Sequence, residues 1–179
     1  MAQGSVRWSA PTLSPSRAIL YGWLVVGTLD GLDAAIVSTL RGSNPERVFQ
    51  YVASGLLGPS SMQGGAATAL FGVLIHFFIA FCVVLTYNLA SRRLRMLAER
   101  PLLYGPIYGV LVWLFMNFVV IPLSVIGVIR LSTFSIVNGL LIHIFGIGIP
   151  SALFASWMSD VRTGDPLPAP RPGGARIGA

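Results

Sequence analysis

Four apolar stretches, Ala18–Leu40, Gly65–Ala90, Leu102–Ser124 and Thr133–Met158, divide this 179-residue chain. Each holds roughly 20 or more residues, enough for a helix rising 1.5 Å per residue to cross a hydrocarbon layer about 30 Å thick. Lipid offers no partner to the backbone, so a spanning segment satisfies its own N–H and C=O groups as a helix. Only 10% of the residues are charged, where a soluble domain carries about a quarter. The expected fold class is all-α: four antiparallel transmembrane helices forming one unit over residues 18–158, in contact with the lipid bilayer.

The connections are unequal. Residues 1–17 and the Pro/Gly-rich residues 159–179 read as a disordered lead-in and a disordered tail. Arg41–Gln63 is too polar to cross. Within it, Asn44 suits a helix cap and Pro45 the first helical position. Val48, Phe49, Val52 and Leu56 share one apolar face, and Gly58-Pro59 ends the run. This segment is expected to form a short helix at about residues 45–57, lying in the membrane interface. In the fourth stretch Gly146, Gly148 and Pro150 interrupt the apolar run, and Pro150 should kink it.

Charge placement sets the orientation. All twelve basic residues are Arg, and they fall mainly in the gaps between apolar stretches rather than on one basic face, which argues against a nucleic-acid partner. Nine fall on the side of the two termini, counting Arg92, Arg93, Arg95 and Arg100 of the second connection; Arg41, Arg47 and Arg130 fall opposite. Both termini are therefore expected in the cytoplasm. Arg92, Arg93 and Arg95 could also meet anionic lipid. Tyr21, Trp23, Tyr87, Tyr104, Tyr108 and Trp157 lie near span ends and read as interface anchors. Cys82 is alone, so no intrachain disulfide can form. The first apolar stretch is too long for a cleaved signal and carries two acids.

Those acids, Asp30 and Asp33, are the most telling polar residues, because charge at membrane depth is costly and usually functional. Counted from the cytoplasmic span ends, Asp33, His76, Asn117 and His143 all lie roughly 21–22 Å deep, with Asp30 one turn nearer the cytoplasm. Helical wheels put His76 on a small-residue stripe with Ala69, Gly72 and Ala80, and His143 on a side with Gly139 and Gly146. On the first span Gly27 and Gly31 form a small-residue stripe that Asp30 borders. Depth thus favours Asp33 and the wheel favours Asp30. Gly105-x-x-x-Gly109 reads as a packing face within the bundle, with a homodimer contact as the alternative.

The expected function is binding of a proton or small cation through this Asp/His layer, in transport or a pH-linked response. One alternative is a non-transporting scaffold or binding subunit whose polar layer fixes helix register. Another is an electron carrier with His76 and His143 as axial haem ligands. No metal-ligand spacing stands out beyond these two imidazoles. No nucleophile elbow, phosphate-binding loop, Cys-x-x-Cys or His-Glu-x-x-His occurs, so an enzyme would have to run on the Asp–His layer alone.

The strings Val48-Phe49-Gln50-Tyr51-Val52-Ala53-Ser54-Gly55-Leu56-Leu57-Gly58 and Tyr104-Gly105-Pro106-Ile107-Tyr108-Gly109, followed by Met116-Asn117 and Pro122-Leu123-Ser124, resemble a group of small uncharacterised bacterial four-span membrane proteins. The resemblance implies a bacterial inner membrane and a helical bundle, and no particular activity.

Overall fold

The computed structural model describes residues 12–128 and 130–158. Both expected disordered segments lie largely outside these, at residues 1–11 and 159–179. The described chain is helical without strands. Four helices are long and apolar enough to cross a membrane: Pro15–Leu40, Gly65–Arg93, Pro101–Leu123 and Thr133–Ser156. They are called spans one to four. Span one starts three residues before the expected boundary because Pro15 opens it, a position where the missing N–H costs nothing. Leu13, just ahead, donates its backbone N–H to the Trp157 carbonyl at 2.7 Å, so the start of span one and the end of span four meet at one end of the bundle.

That end is tightly packed. Ala18, Tyr87, Ala98, Ala152, Ala155 and Met158 form a buried cluster there. Tyr87 donates its hydroxyl to the Leu97 carbonyl at 3.0 Å, and Tyr108 donates to the Val83 carbonyl at 2.7 Å. Trp23 likewise donates Nε1–H to the Phe77 carbonyl at 2.6 Å. These three aromatics therefore clasp helices instead of anchoring at the interface, because an inward ring buries its apolar body while its single donor finds a backbone oxygen. Tyr21 does face outward, 44% exposed.

Glycines set the closest crossings. A Cβ on Gly109 would collide with the backbone carbonyl of His143, and one on Gly148 with that of Gly105. Gly105 and Gly109 thus form the face on which span three meets span four.

Spans three and four each contain one wide turn of π-helix, at Met116–Val120 and His143–Gly148. Proline explains both. Its ring clashes with the carbonyl four residues earlier and it donates no hydrogen bond; for Pro122 and Pro150 those carbonyls belong to Phe118 and Gly146, inside the wide turns. The expected kink at Pro150 takes the form of a wide turn, which such insertions commonly place beside functional residues.

The connecting helix Pro45–Leu57 begins as its sequence directs, with Asn44 Oδ1 accepting from the Glu46 N–H at 3.0 Å. It ends at Gly58, whose φ of 75° favours glycine. Its most buried face is polar and small, while the apolar face is only partly covered. Gln50, Ala53 and Ser54 are buried, and Gln50 donates to the Gly65 carbonyl at 3.1 Å. A Cβ on Gly72 would strike the Phe49 carbonyl, so the helix lies directly on span two. Backbone polarity drives this placement: the carbonyls and side-chain amide find partners, while Val48, Phe49, Val52 and Leu56 are left to roof a space between the spans.

Candidate functional site

Spans two and three are tied at the termini end by Tyr108 and by the Tyr87–Tyr108 ring contact. Beyond that clasp they pack little against one another. The gap between them is a cavity of about 450 Å³. Span one contributes Val26, Asp30 and Ala34, span four His143 and Ile147, and the connecting helix covers the far end. The loop after span three seals that cover, with the Val125 N–H donating to the Gly55 carbonyl at 3.0 Å.

The walls are almost entirely apolar, with a few polar groups among them. Asp30, His76, Asn117 and His143 all line the cavity. Asp33 does not: its Oδ2 accepts from Asn138 Nδ2 at 2.9 Å. The structure therefore separates the two acids. Asp30 faces the cavity, and Asp33 clamps span one to span four.

His76 is held by its neighbours. Its Nε2–H donates to the Gly27 carbonyl at 2.8 Å, a carbonyl that can only accept. The ring sits where span one has no side chain; a Cβ on Gly31 would lie 3.1 Å from Nε2. Phe49 and Phe77 pack edge-on against the imidazole. The tautomer is thereby fixed, and Nδ1 faces Asp30 Oδ2 at 3.9 Å. Asp30 remains 27% exposed at its side chain and His76 12%, because the cavity reaches them.

His143 is fixed in the opposite sense. Its Nδ1–H donates to the Gly139 carbonyl at 2.9 Å, which leaves Nε2 as its acceptor. The π turn that His143 opens places it against span three, beside Gly109. Asn117 Nδ2 donates one N–H to the Trp113 carbonyl at 2.9 Å, leaving its second N–H and its amide oxygen to the cavity side. A haem ligated through His76 Nε2 would have to break the Gly27 bond. Among the described residues no three His, Cys, Asp or Glu side chains lie together as a metal site.

Two buried polar residues escaped the sequence reading. Asn88 and Ser151 are completely buried near the packed end, and Asn88 Oδ1 and Ser151 Oγ have no hydrogen-bond partner among the described residues. Asn88 lies beyond the depth at which polar residues were sought, and Ser151 follows a proline in a run of small residues.

Compared with protein-family models, curated proteins and solved structures, the chain finds no match.

Proposed function

We propose that this multi-pass membrane protein takes up a proton or small cation at the Asp30–His76–His143 cluster, as part of transport or a pH-linked response. One observation carries the reading. The Gly27 carbonyl commits the proton of neutral His76 to Nε2, so Nδ1 and the Asp30 carboxylate confront each other as two acceptors at 3.9 Å. In an apolar cavity two facing acceptors repel unless a proton or cation joins them. Asp30 takes the charge, His76 shares it, and His143, with a free Nε2, is the next acceptor. Asn117 offers its amide oxygen to the same space.

The tight packing at the termini end and the cavity at the other end suit uptake from the side of the connecting helix. The Arg distribution supports placing that side outside, with both termini cytoplasmic, in what we read as a bacterial inner membrane. Arg92, Arg93 and Arg95 then stand where anionic headgroups lie.

The test is infrared difference spectroscopy of the protein in nanodiscs across a pH series. A protonated-carboxyl band should appear as pH falls and vanish in Asp30→Asn while remaining in Asp33→Asn. A band that survives Asp30→Asn would overturn the assignment. Asp33 favours the scaffold reading for its own position only, since its carboxylate is bonded to Asn138.

A further inference from the structure

The cluster occupies one side of a space far larger than a proton or an inorganic ion requires. A volume of about 450 Å³ lies in the range of pockets that take drug-sized molecules. Its walls come from Val26, Val52, Ile79, Val112 and Ile147, among others. Such a surface gains nothing from a hydrated ion and gains by covering with apolar groups.

Its polar side is unusual in one respect. The described bonds commit His76 Nε2–H to Gly27, His143 Nδ1–H to Gly139 and Asn117 Nδ2 to Trp113. What remains is His76 Nδ1, His143 Nε2, the Asn117 oxygen with the second N–H of its amide, and the Asp30 carboxylate, with the Tyr51 hydroxyl at the rim. Acceptors predominate, and the one charged group is anionic. A ligand that satisfies them brings N–H donors and positive charge; a carboxylate or phosphate would face the Asp30 anion.

The rim is apolar and outward-facing. Phe78, at mid-span, is 65% exposed, and Leu56 of the connecting helix is 66% exposed. The opening between these spans thus meets lipid. Burial pushes the Tyr51 phenol at this rim above its ordinary value, so it stays neutral. A phospholipid amine sits at the headgroup level, whereas Asp30 lies 10 residues in from the Leu40 end of span one, roughly 15 Å along its axis. The depth selects a small free amine over a headgroup.

We infer that the cavity between spans two and three binds a membrane-soluble organic amine, its ammonium group against Asp30, His76 and His143 and its apolar body against the walls. This rests on Asp30 as the charge-bearing group and names the ligand class for that site. Proton and ammonium compete for the same acceptors. The titratable groups facing Asp30 are Asp33 on its own span, His76 on span two and His143 on span four, with Tyr51 at the rim; span three supplies only the amide of Asn117.

Three probes of one shape test this: 1-aminoadamantane, 1-adamantanol and adamantane-1-carboxylate, measured by equilibrium dialysis against the full chain in phosphatidylcholine nanodiscs. The amine should bind saturably and the carboxylate should not, with the alcohol weaker than the amine. Amine affinity should fall with pH, approaching about tenfold per unit once the proton dominates. Asp30→Asn should weaken it about 10- to 100-fold, as expected for a charged hydrogen-bond partner lost from an apolar site. Asp30→Glu, which keeps the charge, should retain binding and guards against a folding defect. Val52→Trp should fill the cavity and block the amine while the carboxyl infrared band persists. Equal binding of all three probes would mark a charge-blind apolar groove and overturn the inference. An absent amine signal with an intact Asp30 band would overturn the ligand while leaving proton uptake standing; loss of both signals would remove both.

Discussion

At the residue scale the decisive contrast is between Asp30 and Asp33. They are three positions apart on one helix, hence about 60° apart in projection, and they meet different neighbours. Asp30 faces an imidazole across 3.9 Å, while Asp33 takes a single amide bond from Asn138. The wheel of span one pointed to Asp30 and the depth count to Asp33. Depth misled because span one begins at Pro15 and because helices pack by small residues, here Gly27 and Gly31, rather than by level. Gly31→Ala should press a Cβ against His76, loosen its bond to Gly27 and cost on the order of 1 kcal/mol in detergent unfolding. The same variant should shift the Asp30 carboxyl band, which a distant packing defect would leave in place. Ser151→Ala should behave in the opposite way. Its hydroxyl is buried without a partner among the described residues, so its removal should leave stability unchanged or slightly raised in the same assay.

At the scale of elements, prolines and glycines shape the site as much as its polar groups do. Pro122 and Pro150 each sit just past a wide turn, and those turns carry Asn117 and open at His143. The two prolines were visible in the sequence, but the response of the helix was not: a kink, a break or a widened turn can each answer a missing N–H, and neighbouring helices choose among them. Gly109→Ala should be among the most damaging small substitutions, because its Cβ would meet backbone, which cannot rotate away. A loss of about 1–3 kcal/mol in thermal unfolding is expected, together with a disturbed carboxyl band, since the carbonyl it strikes belongs to His143. The connecting helix shows another limit. Its caps and length followed from Asn44, Pro45 and Gly58, yet its lie did not. Gln50, a polar residue, faces span two, and the apolar residues face the cavity.

At the scale of the whole molecule the two ends of the bundle differ. One is closed by small residues, tyrosine hydroxyls and the pairing of Leu13 with Trp157; the other holds the cavity under a helical cover. The Arg asymmetry predicts which end faces the cytoplasm. With Cys82 replaced by Ser, a cysteine at Ser60 should react with an impermeant maleimide in intact cells. One at Arg93 should react only after permeabilisation, and the reverse pattern would invert the topology.

The number of spans, their helical nature and the start of the connecting helix were settled by the sequence alone. These depend on local quantities: apolar length against bilayer thickness, and the capping and breaking chemistry of Asn, Pro and Gly. The tertiary structure alone decided that a cavity opens between spans two and three, that the connecting helix covers it, and that every proton donor of the two neutral imidazoles turns to a backbone carbonyl. Those outcomes depend on which helix fills the space beside each glycine and which carbonyl it leaves in reach, a property of neighbours far apart in the chain.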